Sequence, residues 1–196
     1  MQIGVLAIQG DIREHVNSVE RLGHSPLLVR DPKRLDELDG LIMPGGESTT
    51  MTILMKRFGL WDKLKSLIEK GMPVYGTCAG LVLLSRRVTN YPEQPTLGVL
   101  DVEVERNAYG SQTESFEARV HAPVFETEIS AFFIRAPIIR SSSMKVEILA
   151  KHEGKPVLVR QGNILASTFH PELTDDSRVH QLFLKSISLR RQGANV

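Results

Sequence analysis

The first eighty residues alternate short apolar runs with amphipathic stretches, and few folds accept that pattern. "IGVLAI" (Ile3 to Ile8), "PLLVR" (Pro26 to Arg30), "GLIMPGG" (Gly40 to Gly46) and "PVYGTC" (Pro73 to Cys78) are nearly continuous in apolar character. Such runs suit strands covered on both faces. Between the first two, Ile12, Val16 and Val19 recur at helical spacing and Gly23 supplies a stop. Ser48 is expected to cap a helix with Met51, Leu54, Met55 and Phe58 on one stripe. Between Gly59 and Gly71, Leu60, Leu64, Leu67 and Ile68 share a second helical face. Buried strands alternating with helices predict an α/β fold in three layers, a mostly parallel central sheet with helices on both faces.

The character changes after the proline-broken loop "NYPEQPTLG" (Asn90 to Gly98). "LDVEVER", "SFEARV", "VEILAKH" and "KPVLVRQ" partly alternate apolar and polar residues. They predict a smaller, antiparallel strand region exposed on one side. "ILASTFH" (Ile164 to His170) reads as the last strand. A final helix follows, with Asp175 and Asp176 near its start and Val179, Leu182, Phe183 and Ile187 facing inward. Gln192 to Val196 is expected to fray. No repeat or linker divides the chain, so residues 1–196 are expected to form a single domain.

Composition excludes several function classes. A net charge of +1 gives no electrostatic case for nucleic acid or an acidic membrane surface. Arg86-Arg87 and Arg190-Arg191 are too short to form a basic patch and read as solvated charges. The N-terminal "MQIGVLAIQGD" has no lysine or arginine ahead of its apolar part and is interrupted by polar residues, so it reads as a strand and not a signal peptide. No apolar run approaches the length of a membrane span. A single cysteine cannot form an internal disulfide. A cytoplasmic protein is the expectation.

That cysteine, Cys78, lies in "VYGTCAGLVLL". Taken alone, a lone cysteine is more often a small core hydrophobe than a nucleophile. Its context points the other way. "PVYG" reads as a strand and "AGLVLL" as the opening of a helix. Cys78 therefore stands on a strand-to-helix corner at the carboxyl edge of the sheet, where open α/β folds bind ligands. Gly76, Ala79 and Gly80 give the small neighbours that a nucleophile elbow needs. A helix N-terminus there favours the thiolate, and the Ala79 N–H can donate half of an oxyanion hole.

Of six histidines, His15 sits beside Arg13 and Glu14 and is expected to face solvent. His24, His121, His152 and His180 read as structural or solvated. His170 in "STFHPELTDD" ends a predicted parallel strand, at the same sheet edge as Cys78. Pro171 biases it toward an extended conformation, and in extended chain residues two apart point to the same side. Glu172 can then hold one ring nitrogen and leave the other for a thiol, the logic of a nucleophile–base–acid triad. By itself, His-Pro-Glu is also what a strand-ending turn looks like.

"MPGGESTT" (Met43 to Thr50) is a second glycine loop between a strand and a helix. The Gly45 and Gly46 N–H groups can complete an oxyanion hole or hold an anion. A phosphate loop would carry a glycine-lysine pair, absent here, and Glu47 would repel phosphate. A plain structural turn remains the simpler reading of this stretch alone. Glu47 better suits a ligand with an ammonium group, such as an amino acid.

Together and in this order, "PGGES", "GTCAG" and "FHPE" resemble the class I (triad) glutamine amidotransferases. "IGVLAIQGDIREH", "DGLIMPGGESTTM", "VERNAYGSQTESFEA", "FIRAP" and "FHPELTDDSRVHQLF" resemble one branch more closely, the glutaminase subunits of pyridoxal 5′-phosphate synthase. These segments span nearly the whole chain. Many triad amidotransferases place glutamine where this elbow has Val82, which agrees with that branch. The resemblance implies a flavodoxin-like sheet, Cys78 as nucleophile, His170 as base and Glu172 as its partner. It implies Gly46 and Ala79 as the oxyanion hole, with Gly46, Glu47, Ser48, Arg106, Ile134 and Arg135 along bound L-glutamine. It implies no cofactor and no metal. It also implies that ammonia passes to a separate synthase subunit within a large mixed assembly, with weak glutaminase activity until that subunit docks. The alternatives are the glutaminase of another amidotransferase, a thiol hydrolase of similar fold, or a non-catalytic regulatory subunit. Thiol hydrolases of that kind commonly place histidine where this chain has Ala79, and all three triad residues are present.

Overall fold

A computed structural model of the chain describes residues 1–108 and 115–193. In the first half, β1 (Ile3–Leu6) leads to α1 (Ile12–Arg21), β2 (Leu27–Val29) and β3 (Gly40–Met43). There follow α2 (Ser48–Arg57), α3 (Trp61–Glu69), β4 (Val74–Thr77) and the short α4 (Ala79–Leu84). The second half runs β5 (Ser85–Val88), β6 (Leu100–Glu105), β7 (Ser115–Ala122), β8 (Thr127–Ile134) and β9 (Ile138–Ser142). It closes with β10 (Glu147–His152), β11 (Lys155–Gln161), β12 (Ile164–Ser167) and α5 (Arg178–Gly193).

Seven strands form the central sheet in the order β10-β11-β12-β4-β3-β1-β2. The five from β12 to β2 are parallel, and β10 and β11 extend one edge antiparallel. Side-chain alternation builds the three layers. Ile3, Val5, Ile42, Tyr75 and Leu165 pack toward Val19 of α1 and Val179, Phe183 and Ile187 of α5. Leu6, Leu41, Met43, Val74 and Ala166 pack toward Met51 and Met55 of α2, Leu64 and Ile68 of α3, and Leu81 of α4. Each such large apolar side chain contributes about 1.5–3 kcal/mol by leaving water. Both faces of the parallel strands are covered, as their continuous apolar runs require.

The structure departs from the sequence expectations in several places. The segments expected to form one-sided strands near residues 146–161 join the central sheet, and Val157, Leu158 and Val159 in the middle of β11 are fully buried. The smaller region is two separate units, a three-stranded sheet in the order β5-β6-β9 and a β7-β8 hairpin. Strands β5, β8 and β9 have no counterpart among the expected elements. Arg86 and Arg87 of β5 are exposed and both pair with Glu103 of β6. The cap of α2 is Glu47, not Ser48: its carboxylate accepts the N–H groups of Thr49 (3.0 Å) and Thr50 (2.6 Å). Phe58 leaves the apolar stripe because α2 has ended at Arg57, and its ring is exposed. The last strand stops at Ser167, three residues short of the expected end. Helix α5 continues through Gly193, so Gln192 and Gly193 of the expected tail are helical; residues 194–196 lie outside the described residues. Residues 109–114 of the "VERNAYGSQTESFEA" stretch also lie outside them.

Gly80 fixes how closely the elbow approaches the sheet. A Cβ at this position would lie 2.3 Å from the Met43 carbonyl oxygen of β3, a backbone atom that cannot swing aside. Gly98 has a positive φ, but a Cβ there would meet no atom within 4 Å. Gly80→Ala is therefore expected to lower unfolding stability by about 1–3 kcal/mol through overpacking. Gly98→Ala should show only the smaller cost of its backbone conformation. Urea midpoints measure both, and equal midpoints for the two variants would contradict this packing.

Candidate active site

The carboxyl ends of β1, β3, β4 and β12 stop at one edge, and the segment after each supplies part of one constellation. Cys78 follows β4 with φ +46° and ψ −100°, a conformation a non-glycine residue holds only when its surroundings enforce it. Here they do. The Cys78 N–H donates to the Ser167 carbonyl of β12 at 2.9 Å, and the Cys78 carbonyl accepts from Val82 of α4 at 3.1 Å. The sulfur is nearly buried and lies 3.9 Å from the Ile134 carbonyl.

His170 follows β12 outside the strand, anchored by its N–H to the Phe132 carbonyl at 2.8 Å. Its Nδ1 bonds to Glu172 Oε1 at 2.8 Å. The extended path expected for this segment is not what brings Glu172 there. Pro171 opens a 3₁₀ turn over Pro171–Leu173, and Glu172 reaches back from within it. Asp11, after β1, places Oδ2 3.2 Å from the same Nδ1.

The electrostatics couple these groups. Burial disfavours the His170 imidazolium, but the adjoining Cys78, Glu172 and Asp11 outweigh it and raise His170 well above its ordinary value. Burial opposes ionisation of Glu172, yet His15 and His170 beside it hold the carboxyl far below the usual range. Nδ1 of His170 is engaged by carboxylates, which leaves Nε2 for the thiol. Asp11, His170 and Glu172 form a carboxylate-imidazole cluster with ligand atoms within 4.8 Å of one another. Those atoms include the ones that hold the His170 ring.

A cavity of about 290 Å³ opens over the sulfur. Gly46, Glu47, Ser48, Cys78, Ala79, Arg106, Ile134, Arg135 and His170 all line it, so every site residue predicted from the sequence except Glu172 reaches one cavity. Glu172 lies behind His170. Arg106 donates to Glu47 Oε1 at 2.8 Å and Thr49 Oγ1 at 3.1 Å, bonds Gln94 Oε1, and stacks over Tyr91. Glu47 also takes the two N–H groups of its own helix, and its pKa is lowered to about 2 because those hydrogen bonds outweigh its partial burial. The Gly45 carbonyl accepts from the Asp11 N–H at 3.1 Å. Gln9 Oε1 accepts from the Glu47 N–H at 2.8 Å, and a Cβ on Gly46 would come within 2.5 Å of that oxygen. A larger hollow of about 840 Å³ lies beyond Glu172, between α1 and β8, and touches neither Cys78 nor the glycine loop.

Gln9, Asp11, Asn107 and Pro137 also line the cavity, and the sequence reading does not single them out. A signal for Gln9 and Asp11 exists, since they follow β1 at the same carboxyl edge that points to Cys78. His15 does not face solvent. It is fully buried, with Nδ1 3.0 Å from His180 Nε2 and Nε2 3.1 Å from Thr77 Oγ1 and 3.3 Å from Glu172 Oε1. It falls on the apolar stripe of Ile12, Val16 and Val19, three residues after the first and four before the last. His180 is buried too, and burial with His15 beside it pushes its pKa down to about 3.

The fold and this cysteine-centred cavity fall in the class of the glutamine amidotransferases. A crystal structure of a glutamine amidotransferase matches with a TM-score of 0.91 and 46% identity, over 96% of this chain and all of that one. The PurLQS structure from Thermotoga maritima shares the fold, with a TM-score of 0.69 at 16% identity over 94% of this chain and 98% of that one. Residues 5–189 match the model of the SNO glutamine amidotransferase family, and the chain belongs to that family. It is 57% identical to the pyridoxal 5′-phosphate synthase subunit PdxT of Kosmotoga olearia, over 95% of this chain and 98% of that protein. It is 54% identical to PdxT of Thermotoga maritima, over 95% of this chain and all of that protein.

The buried groups give stability a defined pH dependence. His180 binds its proton more weakly folded than unfolded, so the unfolded chain takes up the extra proton as pH falls from about 6.5 toward 3. Its contribution is present above 6.5 and lost through that window. Glu172 acts with the same sign but only below its unfolded value of 4.5. His170, raised in the folded state, contributes fully below 6.5 and loses its contribution as pH climbs through its folded value. His180→Leu is expected to flatten the fall in unfolding free energy between about pH 6.5 and 5. Urea titrations across that range check it, and an unchanged slope would contradict the buried neutral histidine.

Proposed function

We propose that this chain is the glutaminase component of a pyridoxal 5′-phosphate synthase and that Cys78, His170 and Glu172 are its catalytic triad. The observation that carries the reading is the convergence on one cavity of the elbow sulfur, the Glu172-held imidazole and the Gly46 loop. The family and the names of its relatives supply the substrate, L-glutamine, and the synthase subunit as partner. The whole chain serves as one glutaminase domain in the cytoplasm, where a reduced thiol persists, and works within a large mixed assembly.

The Cys78 thiolate attacks the side-chain amide carbon of glutamine, forming a C–S bond. Charge on the carbonyl oxygen is met by the Ala79 and Gly46 N–H groups. His170 Nε2–H protonates the leaving nitrogen as the C–N bond breaks, releasing ammonia and a γ-glutamyl thioester. Neutral His170 then takes a proton from water, whose oxygen attacks the thioester, and glutamate leaves with Cys78 restored. The cavity size sits near the ~300 Å³ lower end for small-molecule sites, which suits one amino acid. Arg106 and Arg135 are the cations for the glutamine α-carboxylate, and Glu47 with the Ser48 edge faces its α-ammonium. The ammonium must share Glu47 with Arg106 and Thr50.

The Gly45–Gly46 peptide is the element for activation by the synthase. Its carbonyl is held by Asp11, and in a planar trans peptide the Gly46 N–H points the opposite way. Neither glycine carries a side chain to resist rotation, so docking can turn that N–H into the oxyanion hole.

Glutamate release from glutamine, assayed with and without the cognate synthase subunit, tests this reading. Release is expected to rise when the synthase is added. Cys78→Ala should reduce it by about 10³-fold or more while leaving synthase binding intact. No release under either condition, or full activity in Cys78→Ala, would refute the assignment.

A further inference from the structure

Behind the triad lies a second layer of polar side chains that the mechanism above does not use. Glu172 is fully buried at its side chain, and its Oε1 is the meeting point of three groups. His170 Nδ1 is 2.8 Å away, His15 Nε2 3.3 Å and Thr77 Oγ1 3.4 Å. Oε2 has no partner among the described residues, so the carboxylate is held through one oxygen. A buried carboxylate secured at one oxygen by a single imidazole would be free to rotate or take up a proton. The additional donors decide whether it does.

The partners of His15 and His180 assign their protons. His180 Nδ1 is buried without a partner among the described residues. A bare ring nitrogen is tolerated there better than an orphaned N–H. The His180 proton then sits on Nε2 and is donated to His15 Nδ1, 3.0 Å away. His15 must accept at Nδ1 and so carries its own proton on Nε2, aimed at Glu172 Oε1 and Thr77 Oγ1. The Thr77 hydroxyl, bonded by His15, can in turn donate to Oε1. Every proton in the chain points toward Glu172. The other titratable groups facing this pair are Tyr75 of β4, whose ring stands edge-on to both histidines, and Arg21 of α1 beside His180.

We propose that His15, with its tautomer set by His180, is a positioning residue of the glutaminase reaction that holds Glu172 Oε1 ionised and aimed at His170 Nδ1. The proposal rests on the glutaminase reading for its kinetic consequence, but not for its tautomers. His15 touches neither the cavity nor the sulfur. Its effect reaches the thiol only through Glu172 and His170, so it should alter turnover and not glutamine affinity.

Two measurements test it. In the wild-type chain, long-range proton–nitrogen NMR correlations of the imidazoles at pH 7 should show the Nε2–H tautomer for both His15 and His180. In the complex with the cognate synthase, His15→Leu should lower kcat about 10- to 100-fold, the loss of one hydrogen bond to a charged group, with KM unchanged. His15→Gln returns an amide N–H near the Nε2 position and should recover most of kcat. A merely structural role would change stability in both variants without that split or that rescue. An Nδ1–H tautomer at His15, wild-type kcat in His15→Leu, or no rescue by His15→Gln in a folded protein would each overturn the proposal. If His15→Leu does not fold, the tautomers and the glutamine variant still decide. If the wild-type complex releases no glutamate, the glutaminase reading fails, and the tautomers alone decide whether His15 orients Glu172.

Discussion

The parallel alignment of β1, β3, β4 and β12 is the constraint on which the rest of the molecule depends. Their registers bring Met43 beside Gly76 and Thr77 beside Ser167, so the chain leaves the sheet at one edge from four successive strands. The glycine loop, the elbow cysteine, the imidazole and the Asp11 carboxylate are each no more than a few residues past such an exit. A one-residue slip of β12 against β4 would remove the Ser167 carbonyl that holds the Cys78 N–H. The strained elbow and the proposed triad therefore share a single support, and the apolar layers on both faces of the sheet stabilise it.

Within that frame the charges are arranged so that each is sustained by its neighbour. Glu172 is buried at a position where an isolated carboxylate would be neutral. It stays ionised because imidazole N–H groups converge on it, and in doing so it favours the charged form of His170. Two backbone features then frame the cavity: a sulfur fixed by the corner at Cys78, and a glycine peptide whose carbonyl is held by the Asp11 N–H. One side of the site is thus made from strand ends and the buried polar layer, and the other from the Gly45–Gly46 loop.

Much of this is legible in the sequence because it follows from local pattern. Continuous apolar runs identify the parallel strands, and the corner between "PVYG" and "AGLVLL" singles out Cys78 as the candidate nucleophile. The parts that are not legible depend on residues distant in the chain. Arg106 and Arg135 stand out only through the family resemblance, since nothing in their spacing separates them from surface arginines. Strands β8 and β9 show no clear alternation and so escape a reading by period. Glu47 replaces Ser48 as the cap because a longer side chain one residue earlier reaches two N–H groups at once. The charged neighbours of His15 suggest solvent, whereas its helical position, in line with Ile12, Val16 and Val19, predicts the burial that is found.

Cys78 is the proposed nucleophile on the glutamine side chain. Incubating the complex with a glutamine analogue that carries a thiol-reactive diazoketone in place of the amide, followed by peptide mass mapping, tests it most directly. One stoichiometric adduct on Cys78, slowed by excess glutamine, is expected. Labelling elsewhere in the chain, or an adduct at Cys78 that glutamine fails to slow, would contradict it.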